Sequence, residues 1–460
     1  MHVKTVVAVV GTLIFTVIFS CEQPVEPLSG DAALPLGKAA QQSEEVFTVE
    51  PTGGDDTENI KAALSAAQAA GEGSVIYFAP GHFHTDYLIL TDFVGTIKGA
   101  GMDQTIISPI PKLDFGDGPF EYDFPTYENP WPNFITFIRG NITISDLTLY
   151  VEDPAPVIPY TLYGYEEVVL AYLIRFTGDD CSSRVERVHF KGSEQPNPET
   201  GTANIAYANY YAGEIYGRGG NRMAVRGDHY VESSVFEDVI MGIGAMLSDS
   251  KLIIGGKPQL GNLFTNTAVG IFINSLRETG VVVSYNEINS YILPLRLWQG
   301  YTNEMYDDVE DPKIPRDGYV HVKRNTIHNS GTWNAIYIRD MVRVDQIKRL
   351  SILIENNRVL SESPSAAMVI DGCFGGTVKN NIFQGSGNGA IFAFSQTKDM
   401  LFLGNNLNQF ESRYTPYYFG QQTSNNTLVG GNLKENVINN GTNNKIVGVN
   451  TQQGNPPGPS

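Results

Sequence analysis

The 460-residue sequence contains 50 acidic and 31 basic side chains, for a formal net charge of −19, and only 18% of its residues are charged. Hydrophobic residues make up 42%, and 47 glycines occur without a three-residue period, which excludes a disordered chain and a collagen-like fibre. The acidic balance argues against a nucleic-acid partner, and three cysteines are too few for a disulfide scaffold.

The first 20 residues are predicted to be a secretory signal peptide. Lys4 precedes an apolar run over residues 6–19, which is too short for a typical membrane-spanning helix. The run ends in Ser20-Cys21 and resembles a bacterial lipobox, which implies that Cys21 is lipidated and becomes the new N-terminus. Loss of Lys4 with this segment changes the formal net charge from −19 to −20. We therefore expect an exported protein, lipid-anchored in the bacterial cell envelope, in the periplasm or on the outer surface. The alternative is an ordinary cleaved signal peptide.

Two flexible segments are predicted to flank the folded domain. Residues 21–46 contain three prolines and two glycines, as expected of a tether between lipid and domain. Residues 451–460 are predicted to be a disordered tail. Of the two remaining cysteines, Cys181 and Cys373, we expect both to be reduced and packed inside the domain.

The folded domain is predicted to begin with a helix. A polar stretch over residues 54–60 leads into an alanine-rich segment, residues 61–70, with good helix propensity. Apolar segments that contain glycines follow at residues 73–81 and 97–101.

A repeat of about 24 residues occupies the C-terminal half of the chain. Each unit has a small residue, an alternating apolar strand, a turn, a second short strand, an asparagine, and an apolar residue two positions later. The units begin at residues 335, 367 and 390, and their asparagines are Asn357, Asn381 and Asn406, with Asn286 and Asn325 continuing the series backwards. Such short strands cannot bury a face alone, so the repeat predicts stacked coils in which each asparagine bonds its neighbour in the next coil.

This pattern resembles the right-handed parallel β-helix of the pectate-lyase-like superfamily. The resemblance covers residues 47–450 and implies an all-β, single-stranded solenoid, with the N-terminal α-helix capping the open end of the core. The superfamily includes lyases, hydrolases, epimerases, phage spikes and adhesins, so the fold alone does not determine the activity.

By the same resemblance, the strand that opens each unit lines a substrate groove. Strand alternation then selects the side chains that point outward. These are Arg175, Thr177, Ala224, Arg226, Phe272, Asn274, Arg296, Trp298, Tyr337, Arg339, Val369 and Asp371, with His229 just beyond one of the strands. The four arginines are predicted to form a cationic row with Asp371 toward one end. Guanidinium groups bind carboxylates or sulfates through paired hydrogen bonds. Alternatively, they pair with Asp228, Asp340, Glu278 or other loop acids as a solvated charge ladder.

Aromatic insertions are predicted to form the walls of this groove. Residues 112–133, 153–172 and 193–221 each precede a groove strand, and residues 300–317 follow one. Aromatic rings offer flat apolar faces that suit sugar rings. The predicted substrate-binding residues are Trp131, Tyr165, Arg175, Arg226, His229, Asn274 and Trp298.

β-Elimination on a uronate-containing polysaccharide is the first hypothesis for the chemistry, with Arg296, Arg339, Tyr337 and Asp371 as the catalytic residues. The two arginines would neutralise the substrate carboxylate. Tyr337, His229 or an arginine would remove the α-proton or donate a proton to the leaving oxygen. Calcium could replace an arginine, but Asp307, Asp308 and Asp311 lack a specific ligand spacing, so no cofactor is predicted.

Two alternatives remain open. A glycoside hydrolase would use two facing carboxylates, here Asp371 with Asp340 or Asp228. Gly178-Asp179-Asp180-Cys181 resembles the paired-aspartate motif of the polygalacturonase family, although the family's Gly-His-Gly and Arg-Ile-Lys motifs are absent. The third possibility is a non-catalytic glycan-binding surface protein.

No metal site is predicted. His82 and His84 fall in the cap region, and His321 and His328 fall on a strand and a turn outside the groove. None of these histidines shows a familiar metal-ligand spacing. The expected partners are an acidic polysaccharide and, through the lipid, a membrane, and we expect the chain to be a monomer.

Overall fold

The computed structural model describes residues 44–110, 133–152, 158–162, 165–192, 202–212, 227–247, 250–275, 279–299, 318–340, 351–431, 436–448 and 451–452. For residues 158–162, 165–171, 179, 202–212, 275, 299, 340 and 451–452, only the backbone is described. Among the described residues, no helix is long and apolar enough to cross a membrane.

Short strands make up most of this part of the chain. They begin with β1 (Val46–Val49), helix α1 (Thr57–Ala70), β2 (Val75–Phe78), β3 (Gly81–Thr85), β4 (Leu88–Lys98), β5 (Thr105–Pro109), β6 (Asn133–Tyr150), β7 (Ile158–Leu162), β8 (Tyr165–Lys191), β9 (Thr202–Ala212), β10 (Asp228–Glu232), β11 (Val235–Glu237), β12 (Met241–Ala245) and β13 (Lys251–Gly255). A 3-10 turn, Pro258–Leu260, precedes β14 (Leu263–Ser275), β15 (Gly280–Ser284), β16 (Glu287–Gln299), β17 (Tyr319–Lys323), β18 (Thr326–Asn329), β19 (Ile336–Asp340), β20 (Ser351–Glu355), β21 (Arg358–Ser361), β22 (Ala366–Asp371) and β23 (Phe374–Lys379). The last are β24 (Ile382–Gly387), β25 (Gly389–Phe394), β26 (Lys398–Leu403), β27 (Asn406–Ser412), β28 (Tyr417–Phe419), β29 (Thr427–Val429), β30 (Val437–Asn439), β31 (Lys445–Val447) and β32 (Thr451–Gln452).

The strands pair with equivalent strands of the coils before and after them, and among the described strands every pairing is parallel except that of β7 with β8. Three sheets result. Sheet 1 contains β9, β12, β19, β22 and β25. Sheet 2 contains β10, β13, β15, β17 and β20, and sheet 3 contains β3, β5, β11, β18 and β21. The long strands β6, β8, β14 and β16 each continue from one sheet into another. Parallel strands joined in this way wind right-handed, and the predicted all-β, single-stranded right-handed parallel β-helix is confirmed.

Inward-pointing side chains of successive coils stack in columns. Phe190, Phe236 and Phe264 occupy consecutive coils of sheet 3, with parallel rings 4.7 Å apart at each step. In sheet 1, Ile336 and Ile338 are buried as predicted, so the residues between and after them face outward. The apolar core is therefore one continuous column along the solenoid.

A ladder of buried asparagines runs along the corner between sheets 2 and 3. It contains Asn262, Asn286, Asn325, Asn357, Asn381 and Asn405. In the first five, Asn262 to Asn381, the backbone N–H and the side-chain Nδ2 both donate to the Oδ1 of the asparagine one coil later, at 2.9–3.0 Å. The predicted contact between coils is therefore present.

The ladder corrects the sequence interpretation in one detail. The last ladder member is Asn405, and Asn406 is the first residue of β27. The residue before a ladder asparagine adopts the left-handed conformation, as at Arg324, Asn356 and Asn380. The chain turns there from sheet 2 to sheet 3.

Helix α1 covers the N-terminal end of the core through the buried face of Ile60, Leu64 and Ala67. It starts four residues before the expected position, because Asp55 Oδ1 accepts a hydrogen bond from the N–H of Thr57 at 2.9 Å and orders the first turn. The buried Asp56 accepts hydrogen bonds from Thr52 and from the backbone N–H of His84, at 2.8 and 3.1 Å. Asp56 thereby ties the helix start to β3.

Cys181 and Cys373 are buried thiols, as predicted. Each packs into the interior, and burial raises the pKa of Cys181 to about 12. Their positions give no access for oxidants or metal ions.

The ladder makes a stability prediction. Replacing Asn357 with Ala leaves the N–H of Asn325 and the carbonyl of Val322 without their partners. Each unsatisfied buried group costs ~1–3 kcal/mol, so Asn357→Ala should lower the urea midpoint of unfolding, followed by circular dichroism. The matched control is Asn408→Ala, since Asn408 is exposed and its loss should change stability by less than ~0.5 kcal/mol. Equal midpoints for the two variants would contradict a structural role for the ladder.

Candidate functional site

The outward face of sheet 1 carries two adjacent columns of side chains along β14, β16, β19 and β22. One column contains Phe272, Arg296, Tyr337 and Val369, and the other contains Asn274, Trp298, Arg339 and Asp371. Successive positions in a column lie ~4.8 Å apart. Arg296 and Arg339 therefore stand on neighbouring strands in different columns, on a diagonal.

Arg296 lies among aromatic rings. Its Cζ is 3.7 Å from the ring centre of Trp298, 5.3 Å from Phe272, 5.6 Å from Tyr337 and 5.8 Å from Trp333. A guanidinium over aromatic faces is stabilised by cation–π attraction. The rings hold the cation on the groove face and surround it with flat apolar surface.

Asp371 links Tyr337 to Arg339. The Tyr337 hydroxyl donates a hydrogen bond to Asp371 Oδ2 at 2.9 Å, and Arg339 Nε lies 3.4 Å from the same oxygen. Burial and the neighbouring Asp371 carboxylate raise the pKa of Tyr337 well above that of a free tyrosine. Tyr337 is therefore a proton donor at neutral pH, and its use as a base is disfavoured.

We call these seven residues the groove cluster: Phe272, Arg296, Trp298, Trp333, Tyr337, Arg339 and Asp371. Two buried polar atoms, Trp298 Nε1 within the cluster and Asn274 Oδ1 beside it, have no hydrogen-bond partner among the described residues. Trp333 was missed by the sequence interpretation. It lies just before groove strand β19, and aromatic insertions had been expected just before other groove strands, so its position was a usable signal. Its side chain is 51% exposed.

The predicted arginine row is shorter than expected. Arg175 is buried and in register with Tyr211, after which the column continues through Gly244 and Phe272 before it reaches Arg296. Four strand spacings, or about 19 Å, separate the two arginines. The intervening strands β9, β12 and β14 are the physical reason, because each adds a coil to the stack.

Several predicted site residues lie outside the described residues. These are Arg226, Trp131, Glu278, the acids Asp307, Asp308 and Asp311, and Cys21. Tyr165, Asp179 and Asp340 are described by backbone alone, and Tyr165 begins β8 opposite Leu162 of β7. Asp180 is exposed in a left-handed turn between sheets 1 and 2.

His229 does not line the groove. It lies on β10 in sheet 2, in register with Ser183 and Leu252, and it is fully buried. Its Nδ1 is 2.8 Å from Ser183 Oγ, and burial lowers its pKa to about 3. The prediction failed because the strand after residue 227 belongs to sheet 2, where alternation directs His229 inward. A catalytic or substrate-binding role for His229 is therefore wrong.

Asp228 is also removed from the groove. It is exposed at the start of β10 in sheet 2, five coils from the strand that carries Asp371. At ~4.8 Å per coil this is about 24 Å along the axis, too far for a shared glycosidic bond. The pairing of Asp371 with Asp228 is therefore wrong.

Comparison with known proteins shows the fold alone. No protein-family model matches the chain, and no curated protein matches it. The catalytic domain of Agl-KA superposes with a TM-score of 0.55 at 14% identity, over 87% of this chain and 68% of that one. DFA-IIIase from Arthrobacter chlorophenolicus A6, in complex with GF2, superposes with a TM-score of 0.51 at 13% identity, over 84% of this chain and 94% of that one. The chain is thus similar in architecture to two solved β-helical enzymes.

The burial of His229 predicts acid sensitivity. Histidine ordinarily has a pKa of about 6.5, and His229 has one of about 3, so between these values the unfolded chain binds a proton that the folded protein excludes. Stability therefore decreases as the pH falls from about 6.5 toward 3. His229→Gln, which stays neutral, should lose less of its urea midpoint than the wild type between about pH 7 and pH 4. Identical losses in the two proteins would contradict this assignment.

Proposed function

We propose that the protein binds and cleaves an anionic, uronate-containing polysaccharide on the outward face of sheet 1, with the groove cluster at the centre of the site. The observation that carries this proposal is Arg296 held among four aromatic rings next to the linked side chains of Tyr337, Asp371 and Arg339. On a chain of net charge −19, such a concentration of cations and aromatic rings favours an anionic sugar as ligand.

Binding would use two kinds of surface. The faces of a guanidinium stack on rings, whereas the N–H groups on its edge hold a carboxylate through paired hydrogen bonds. The exposed Trp333 offers a face on which a sugar ring can stack.

The chemistry that these groups support best is β-elimination. Arg296, with Arg339, would neutralise the uronate carboxylate and make the α-proton acidic. Asp371 would take that proton, the bond to the leaving oxygen would break as the carbon–carbon double bond forms, and Tyr337 would protonate the leaving oxygen. Because the Tyr337 hydroxyl donates to Asp371 at 2.9 Å, the proton on Asp371 could then return to the phenolate and restore both groups.

Catalysis is favoured over binding alone because Tyr337 and Asp371 form a hydrogen-bonded pair of proton donor and carboxylate beside Arg339. A hydrolase that uses Asp371 is the second candidate, supported by the position of this carboxylate on the groove face with Tyr337 as its hydrogen-bond donor. In this version Asp340 would supply the second carboxylate. A non-catalytic glycan-binding protein is the third.

The test is a screen of pectate, alginate and sulfated glycans for unsaturated products that absorb ultraviolet light. Arg296→Ala should lower kcat/KM about 100- to 1,000-fold by removing the cation, and Tyr337→Phe should lower kcat about 100-fold or more by removing the donor. The matched control is Arg358→Ala, because Arg358 is an exposed arginine of sheet 3 and its loss should leave activity unchanged.

Other outcomes select the alternatives. Saturated products, with activity lost in Asp371→Asn and only weaker binding in Arg296→Ala, would replace elimination by hydrolysis. Retention on an immobilised glycan without cleavage, abolished in the Arg296→Ala, Arg339→Ala double variant, would make the protein a binding module.

We also propose that the mature protein is lipid-anchored in the cell envelope through Cys21. In a bacterial host, a labelled fatty acid should be incorporated into the wild type and into Cys181→Ala, but not into Cys21→Ala, which should leave the membrane fraction. An unlabelled, soluble wild-type protein would instead indicate an ordinary cleaved signal peptide.

A further inference from the structure

A second polar cluster lies far from the groove, on the outer face of sheet 3 near the N-terminal cap. His82 and His84 alternate with the inward Phe83 on β3, so both imidazoles lie on the same face. Glu152, just after β6, meets both of them. His82 Nε2 is 3.1 Å from Glu152 Oε1, and His84 Nε2 is 3.4 Å from Glu152 Oε2.

The backbone of this cluster is held in place by the cap. The N–H of His84 donates to Asp56 Oδ2 at 3.1 Å, and its carbonyl accepts from the N–H of Asp56 at 2.7 Å. Phe83 is fully buried and packs edge-on against Phe78, with ring centres 5.1 Å apart. The two imidazole rings lie 4.3 Å apart and 31° from parallel. These contacts fix the strand that carries both rings before any ligand arrives.

We propose that His82, His84 and Glu152 form a binding site for a divalent transition-metal ion of the zinc class. A zinc ion binds histidine nitrogen and carboxylate oxygen at about 2.0–2.2 Å, so two ligands of a tetrahedral site lie about 3.3 Å apart. The nitrogen–oxygen distances of 3.1 and 3.4 Å match this separation. The donor atoms of the three side chains lie within 4.8 Å of one another, and a bound ion would replace the present 2.8 Å contact between His82 Nε2 and Ser108 Oγ.

The donor set selects the class of ion. Imidazole nitrogen suits zinc, copper, nickel and iron, whereas calcium and magnesium prefer a shell of oxygen atoms. The three side chains are 27–34% exposed, so an ion can enter from solvent. Three protein ligands leave one tetrahedral position for water or another small ligand.

The same face of sheet 3 contains a natural comparison. His189 is in the same column as His82, through Ile106 and Thr148, and its Nε2 is 2.9 Å from Glu237 Oε2. Among the described residues, the His82 group alone brings three such ligands together. His189 with Glu237 is therefore a histidine–carboxylate pair that lacks the second imidazole.

The experiment is calorimetric titration of metal-free, full-length protein with zinc chloride alone, in a buffer that does not bind metal. We expect one ion to bind each chain, with no comparable heat from calcium or magnesium chloride. His84→Ala and Glu152→Gln should each weaken zinc binding about 100-fold or more, since even outer-shell losses cost 10- to 100-fold. His189→Ala should bind zinc as the wild type does.

Circular dichroism of the metal-free variants checks that each folds. If His84→Ala does not fold, Glu152→Gln still tests the site, because it preserves the size of the side chain. Cobalt(II) provides a separate readout, because a tetrahedral nitrogen–oxygen site should give visible absorption bands that Glu152→Gln lacks. The proposal is overturned if folded wild type binds no zinc, if binding survives in His84→Ala and Glu152→Gln, or if calcium binds equally well.

Discussion

The register between successive coils is the constraint on which the rest of this molecule depends. Each ladder asparagine from Asn262 to Asn381 uses its backbone N–H and its side-chain amide to bond one oxygen in the next coil, at 2.9–3.0 Å. Because these groups are buried, a slip by one residue would leave them unsatisfied and would also turn every neighbouring side chain to the other face. The ladder therefore fixes which residues of distant segments become neighbours.

Both proposed sites are products of that register. Arg296, Arg339 and Asp371 lie on three separate strands, and their contacts exist because β16, β19 and β22 stack in phase. The cap-side cluster follows the same rule, since Glu152 comes from a coil other than that of His82 and His84. On sheets 1 and 3, the stacking of coils thus places side chains from distant parts of the sequence next to one another on a rigid surface.

What the sequence could predict depended on distance along the chain. Within one strand, alternation correctly placed Ile336 and Ile338 inside and left Tyr337 and Arg339 outside. The asparagine spacing identified the coils to within one residue. Prediction failed where it required knowing which coil contains a given segment, because insertions of different length separate the coils along the sequence. Arg175 was misplaced for this reason, and Glu152 could not be associated with His82 and His84, although the alternation of those histidines was visible. His229 was misplaced because its strand belongs to sheet 2 and not to the groove sheet.

The spacing between ladder members has an evolutionary consequence. Consecutive asparagines are 24, 39, 32, 24 and 24 residues apart, yet the bonds that join them do not change in length. Chain can therefore be inserted between two anchor points without altering the coil on either side. New loops can be acquired, lengthened or exchanged between coils at little thermodynamic cost. A scaffold of this kind separates the evolution of specificity from the maintenance of the fold.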